Sequence, residues 1–569
     1  MNNHFRCMAL RGLSLFTAAA LLTACVASQA AAPAASESTA DEAVTFMAPY
    51  LNVEAFIDKV HSIYPEVNIE IVPYSGDNTT SCIQNMIEAH DLPDICTVTV
   101  YNPMTDDMSD QLIDLAGYDF TDNYIESRLQ EVTDNGAIYL LPSVYNCYGI
   151  TYNKTLLQQN GWTVPTSFAE LEQLAEKAEA AGVALCLPQS QYPGYGFQYM
   201  CNIADAGFLG TLDGKRWQKD YLSGKANVSG TPGMMQAMAY IQKWRDIGML
   251  NGDGDPTSDE VTRQRMINGD ALFLLGSTNG IVEADGTRDK FGLMPYLSED
   301  GSQNVFVLSV NRYFGLNKRL EQNPQKLEDA LKVMRVLSTV EGTTALYPET
   351  KVKSSLMPFK NAKANDTYYT DIADALNFGS TAPFIYSGWE NTIVTTGNKM
   401  LDFMRGDATI DEVIAQLDGD QDKVVNNTPD LITTAAEDIP QEDCARLVGR
   451  CFAEATGSDL ALVSLGTWIS GNPTEQNHYG VSGKLYAKGL TDYDLSVILP
   501  TGWNRTIQTV TLTGSQINDL LTEGYDAYGN GKCYPYVLVS PAAVQEDKTY
   551  QVAICGVSDK LAAEAEIVD

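Results

Sequence analysis

The sequence predicts an α/β fold in two unequal parts, a large one and then a smaller α/β or α+β unit. Three observations carry this. Strand-like and helix-like runs take turns from residue 44 to beyond 340, the chain turns polar and aperiodic between residues 418 and 441, and the alternation then resumes. At 569 residues the chain is also too long for one core.

In the first part the pattern predicts strands over 44–47, 67–72 and 94–100 and helices over 53–63 and 80–90. Such alternation implies a mainly parallel sheet with helices on both faces. In the second part it predicts a helix over 442–455, a strand over 459–464, apolar strand-like runs over 490–499 and 506–512, a helix over 514–523, and strands near Tyr536 and Tyr550.

The N-terminus has Arg6 and Arg11, an apolar run over 13–22, and then Leu22, Thr23, Ala24 and Cys25. It resembles a bacterial lipoprotein signal. The run is about half of the roughly 20 residues that span a bilayer, so residues 1–24 are expected to be removed and Cys25 to carry lipid. An ordinary signal peptide that contains a cysteine is the alternative. Residues 25–41, rich in Ala and Ser, read as a tether.

Composition narrows the function. With 73 acidic and 37 basic residues the net charge is −36, which disfavours nucleic acid and leaves membrane attachment to the lipid. Cys7 leaves with the signal and Cys25 with the lipid, so nine of eleven cysteines remain, an odd number with no C-x-x-C. That fits free thiols better than a disulfide framework. Histidine is scarce: His61, His90 and His478 are scattered, too few for a dinuclear hydrolase or zinc protease. Gly529 to Cys533 lacks the first glycine and the Ser/Thr of a phosphate loop and reads as a turn. NGDGD from Asn251 has Pro256 and Thr262 where a calcium loop needs Gly and Glu, and reads as an acidic turn. No metal, cofactor or catalytic residue is expected.

Aromatic residues near Gly, Pro, Asn or Ser remain: Tyr50, Tyr74, Tyr101, Tyr145, Tyr192, Tyr195, Trp217 and Trp389. Flat rings with a polar edge suit sugars, although packing accounts for any one of them equally well.

VNIEIVPYSG at 67–76, DLPDI at 91–95, GAIYLLP at 136–142, GITYNKTLLQQNGWTVPTSFAELEQLAEKA at 149–178, MINGDALFLLGS at 266–277, KFGLMPYL at 290–297 and YFGLNKRL at 313–320 form an ordered set. Over about residues 42–425 it resembles the family 1 extracellular solute-binding proteins of ABC importers. The resemblance implies a two-lobed periplasmic-binding-protein-like (type II) fold with a hinge, a small solute in the cleft, and permease subunits as partners. Tyr50, Tyr74, Tyr101, Asn102, Gly276, Ser277 and Trp389 are the expected cleft residues.

GSDLALVSLGTW at 457–468, KGLTDYDLSVILP at 488–500, TIQTVTLTGSQINDLL at 506–521 and EDKTYQVAIC at 546–555 resemble the C-terminal domain of 5'-nucleotidases over residues 438–569, after a linker at 426–437. Ser464 and Ile469 stand where that family's asparagine and arginine are expected, so the charge-assisted grip on phosphate is lost. A nucleoside-like ligand would lie at Ser464, Gly466, Trp468 and Trp503. The leading expectation is a lipid-anchored receptor, for a carbohydrate, with a non-catalytic accessory domain. A surface nucleotidase or phosphatase and an adhesion or scaffold protein are the alternatives.

Overall fold

The computed structural model describes residues 43–48, 52–72, 79–99, 108–252, 254–276, 290–347, 356–362, 381–383, 389, 392–426, 431–466, 480–498, 507–526, 529, 531–555 and 566–568. The signal, Cys25 and the tether lie outside them.

Lobe 1 opens with β1 (Val44–Met47), α1 (Glu54–Ile63), β2 (Ile69–Val72), α2 (Thr79–Glu88) and β3 (Ile95–Val98). β1 lies between β2 and β3, parallel to both. The sequence placed each of these elements to within about two residues. Short β-branched strands bury well, and α1 turns Phe56, Ile57 and Val60 onto the sheet. The chain then makes β4 (Leu141–Pro142) and crosses to lobe 2 through β5 (Tyr145–Tyr148).

Lobe 2 contains β6 (Ile150–Asn153), α3 (Phe168–Ala181), β7 (Ala184–Pro188), α4 (Pro193–Ala204), α5 (Asp259–Asn268), β8 (Ala271–Leu275) and β9 (Phe291–Met294) in the order β9-β6-β8-β7. Local signals bound α3: the Ser167 hydroxyl accepts from the Glu170 N–H, and Gly182 closes the helix at φ 69°. The chain returns through β10 (Phe306–Val310) into β11 (Tyr313–Leu316) and α6 (Pro324–Leu337) of lobe 1, completing the order β2-β1-β3-β11-β4. It crosses once more at β12 (Thr381–Pro383) and ends lobe 2 with α7 (Ile393–Arg405) and α8 (Ile410–Val425).

Each lobe keeps the mainly parallel sheet that alternation implies, with one strand reversed in each. β11 runs antiparallel to β3 and β4, and β6 antiparallel to β8 and β9. Both β6 and β11 directly follow a crossing between the lobes, so each joins its sheet against the run of a neighbouring strand. The crossing strands form a sheet of their own, with β10 antiparallel to β5 and parallel to β12.

The polar run from residue 418 is not all linker. Residues 418–425 finish α8, with Asp420 and Val424 buried, because Thr409 and Glu412 make a capping box and apolar side chains recur on one face. β13 (Thr433–Thr434) already pairs with β15 (Gly489–Leu490), and Ile439 bridges to Leu485, so the second unit begins near residue 431. That unit continues with α9 (Gln441–Thr456) and β14 (Leu460–Ser464) before β15, then α10 (Asp492–Ile498), β16 (Ile507–Thr513), α11 (Gly514–Glu523), β17 (Tyr525–Asp526), β18 (Cys533–Tyr534), β19 (Tyr536–Val539), β20 (Thr549–Cys555) and β21 (Glu566–Val568). Its main sheet has the order β19-β14-β20-β16-β21. The apolar run over 490–499 is mostly helix rather than strand: the Asp494 carboxylate accepts from the Thr491 N–H and hydroxyl and starts α10.

Of the Gly529 to Cys533 segment, Gly529 and Gly531 lie between β17 and β18 at φ 66° and 79°, and Cys533 begins β18. In NGDGD, a Cβ on Gly252 or Gly254 would lie 2.0 Å from the Cys186 or Pro188 carbonyl, so these two glycines are packed against β7. No disulfide joins any of the nine described cysteines, and six of them are buried. Among the described residues no helix is long and apolar enough to cross a membrane.

Two buried acids differ in their surroundings. Burial alone would raise the Asp94 pKa, but the Lys326 ammonium at 2.9 Å and two donors of Thr45 reverse this and hold it below the ordinary value. Asp205, in the π-helical turn after α4, has no hydrogen-bond partner for either oxygen among the described residues, and burial raises its pKa well above the ordinary value. Folded Asp205 therefore keeps a proton that the unfolded chain releases, and its contribution to stability falls as pH rises above the unfolded pKa. Asp205→Asn is expected to match the parent in thermal melts near pH 4 and to exceed it towards pH 7. The advantage should reach up to about tenfold in the folding equilibrium per pH unit while the folded acid stays neutral.

Candidate interlobe binding site

The lobes have separate cores, one around β1, β3 and α6 and one around α3, α4, β8 and α7. A third cluster joins the hinge residues Tyr145, Cys147, Phe306 and Leu308 to Leu187 and Leu274, one residue short of the ends of β7 and β8. The carboxyl ends of these two strands therefore lie beside the hinge, where α/β sheets bind ligands.

A fixed backbone frame occupies that place. The Gln189 N–H donates to the Leu275 carbonyl at 2.9 Å, and the Tyr199 hydroxyl bridges the Gln189 and Leu275 carbonyls at 2.8 and 3.0 Å. Gly276 follows at φ 133°, and a Cβ there would lie 2.1 Å from Gln189 Oε1. This position needs glycine because the buried Gln189 side chain lies against it, a different reason from the expected close approach of a ligand.

Residues 190–195 leave this frame half-exposed, with Pro193 starting α4. The Tyr192 and Tyr195 rings stand 6.3 Å apart, and Tyr195 stacks on buried Tyr199 at 6.1 Å. Asp259, at the first turn of α5, donates its N–H to Gln191 Oε1 at 3.2 Å, and its Oδ1 is buried without a hydrogen-bond partner among the described residues. Burial raises the Asp259 pKa, opposed by the Tyr195 hydroxyl and the Arg263 charge. Burial and the Asp259 charge in turn raise that of Tyr195. Two rings, a carboxylate and amide groups can stack on and hydrogen-bond a polar small molecule. No metal-binding group of His, Cys, Asp or Glu occurs among the described residues.

Tyr50, Tyr74, Tyr101, Asn102 and Ser277 lie outside the described residues, as do Trp468 and Trp503. Trp389 is not an exposed platform. It is 1% exposed and stacks on Tyr221 at 4.6 Å, with Phe197 and Trp217 around it, as part of the lobe 2 core. Tyr145 and Trp217 are likewise buried. In the second unit Ser464 is fully buried on β14, and a Cβ on Gly466 would meet Ser482 Oγ at 1.8 Å. Neither is presented on an open face, because the 480–482 segment packs over them. Asn153 of the YNK motif caps the next helix by accepting from the Leu156 N–H.

Gln189 and Asp259 were missed from the sequence, where one buried glutamine and one acid among 73 carry no distinguishing signal. Tyr192 and Tyr195 belong to the aromatic set near Gly, Pro, Asn or Ser, but the sequence does not place them among the expected cleft residues. Gly276→Ala should destabilise the protein by about 1–3 kcal/mol in urea titrations, since it strains the backbone and displaces Gln189.

The family model for bacterial extracellular solute-binding proteins matches residues 53–347. The maltodextrin-binding protein MdxE of Bacillus subtilis is 26% identical over 185 residues, 31% of this chain and 40% of that protein; the match thus spans two fifths of the relative's length. Among solved structures, the binding protein MsmE of Bacillus subtilis in an open conformation is similar with a TM-score of 0.55 at 13% identity, covering 69% of this chain and 99% of that one. The apo form of RafE from Streptococcus pneumoniae gives 0.53 at 16% identity, covering 68% and 100%. These likenesses show the two-lobed fold. With the family model matching more than half of its length, the chain belongs to the bacterial extracellular solute-binding proteins.

Proposed function

We propose that this protein is the membrane-anchored receptor of an ABC importer and captures a carbohydrate between its two lobes. The observation that carries the carbohydrate reading is the half-exposed Tyr192–Tyr195 pair beside Asp259 at the strand ends next to the hinge. Sugars offer apolar C–H faces to such rings and hydroxyls to such carboxylates and amides. The similar proteins agree in kind: MdxE is named for maltodextrin, RafE has been solved with raffinose, and another neighbour is a chitin oligosaccharide binding protein. Cys25 is proposed as the lipid attachment point that keeps the receptor near the permease on the outer face of the membrane. The second unit is proposed as a non-catalytic accessory domain like the C-terminal domain of 5'-nucleotidases.

Thermal-shift measurements on the mature protein with maltodextrins, raffinose and chitin oligosaccharides test the reading. A sugar at about 100 times its dissociation constant adds about 2.7 kcal/mol of stability, and Tyr192→Ala and Tyr195→Ala should each reduce that shift. Stabilisation by nucleosides and by none of the sugars would overturn it. For the anchor, Cys25→Ser is expected to move the protein from the membrane fraction to the soluble fraction and to abolish labelling by radioactive palmitate.

A further inference from the structure

The second unit touches lobe 1 at two opposite edges of that lobe's sheet. Val98, the last residue of β3, stands opposite Tyr313 of β11, which in turn stands opposite Pro142 of β4. Tyr313 comes three residues after the hinge strand β10, and Pro142 three residues before the hinge strand β5. The carboxyl end of β3 therefore lies on the hinge side of lobe 1, and the parallel strand β1 ends there too, at Met47. A helix that follows a strand starts at that strand's carboxyl edge, so Glu54, the first residue of α1, is on the hinge side as well. Glu88 ends α2, and Asp91 stands four residues before β3 begins at Ile95. Both acids thus lie at the far edge.

Each edge carries a contact from the second unit. At the far edge α10 packs against α2, Lys484 pairs with Asp91 at 2.5 Å, and the Tyr486 hydroxyl donates to the same carboxylate at 3.0 Å. Lys488 reaches Glu88 at 2.9 Å and Asn85 at 2.7 Å. At the hinge edge Lys532, just before β18, pairs with Glu54 at 3.1 Å. The connection between β17 and β18 that carries Lys532 also carries Gly529 and Gly531, both exposed, and a Cβ on either would meet no atom within 4 Å. The Gly531 N–H donates to Asp526 Oδ2 at 3.0 Å, which ties the connection to the end of β17.

The hinge edge of lobe 1 is the edge at which α/β sheets bind ligands, as are the ends of β7 and β8 beside Tyr192, Tyr195 and Asp259 in lobe 2. We propose that the docked second unit is a third wall of the solute site, meeting the part of an oligosaccharide that extends past the two lobes. The proposal rests on the carbohydrate reading above. The Lys532 ammonium can donate to sugar hydroxyls beside Glu54, and glycines in open space let their peptide groups come close to a sugar. The dock at the far edge holds this wall in place.

Calorimetric titration of the full mature chain with maltose and maltoheptaose, and with chitobiose and chitohexaose, tests the wall. In the parent the longer sugar of a series that binds should be several-fold tighter than the shorter one. Lys484→Glu with Lys488→Glu, and separately Glu88→Lys with Asp91→Lys, should undock the second unit, read as raised hydrogen exchange of amides 85–91. Each pair should bring the two lengths to nearly equal affinity while the disaccharide keeps its parent value, and the four substitutions together should restore the preference. Lys532→Ala should reduce the preference without raising exchange at 85–91. A preference that persists in Lys532→Ala and in both undocked variants would overturn the wall alone, as would equal affinity for both lengths in the parent. Binding of no sugar at either length would overturn the carbohydrate reading and the wall with it.

Discussion

Everything in the two-lobed body depends on three chain crossings that hydrogen-bond to one another. β5, β10 and β12 form one small sheet, so the passages between the lobes cannot move independently. The lobe 1 side of this sheet is pinned by charge. The Tyr145 hydroxyl donates to Glu131 at 2.9 Å, Arg128 pairs with the same carboxylate at 2.7 Å, and its guanidinium lies 4.9 Å from the centre of the Tyr145 ring. Arg128 is almost wholly buried, so losing its carboxylate would leave an uncompensated charge, a far larger penalty than a surface pair carries. Two residues along the same strand, Cys147 packs with Leu187 and Leu274 of lobe 2. One four-residue strand therefore belongs to both bodies, and rotation has to be absorbed within it and its partners.

For such a hinge to transmit motion, each lobe must move as a unit. In lobe 1, Asp94 ties the start of β3 to β1 through Thr45 and to α6 through Lys326. In lobe 2, α4 and α7 cross at glycines: a Cβ on Gly196 would lie 2.5 Å from the Gly397 carbonyl, and one on Gly397 would lie 2.1 Å from the Pro193 carbonyl. That crossing fixes the first turn of α4 and with it residues 190–195, so the tyrosine pair moves with the lobe. The side chains proposed to meet the solute are held by elements that have no freedom of their own.

Much of this was legible in the sequence because it is local. The strands and helices around Val44, Phe56 and Ile95 follow from side-chain period, and the ends of α3 follow from Ser167 and Gly182. What was illegible is non-local. Trp389 and Tyr50 look alike in the sequence, each an aromatic in an irregular stretch, and only the packing of Phe197, Trp217 and Tyr221 reveals that Trp389 is core. Gly276 looked like room for a ligand, whereas the atom that needs the room belongs to a side chain 87 positions earlier. The sense of β6 and β11 depends on where the chain crosses between lobes, which no window of sequence reports.

The charges where α10 of the second unit packs against α2 of lobe 1, with Lys484 paired to Asp91 and Lys488 to Glu88, follow the same logic at longer range. α2 has no basic residue in its last turn, and Glu88 and Asp91 stand at its carboxyl end, where the helix dipole already presents negative charge. Acids there are unfavourable for an isolated lobe, and in a chain of net charge −36 they add to general self-repulsion. Lys484 and Lys488 supply the cations that a helix carboxyl end prefers, from a segment nearly 400 residues away. Apolar contact between α10 and α2 alone would hold the domains together at any ionic strength. Placing opposite charge at a helix end makes the same contact reversible, strong when the partner is seated and weak once water and salt enter between them.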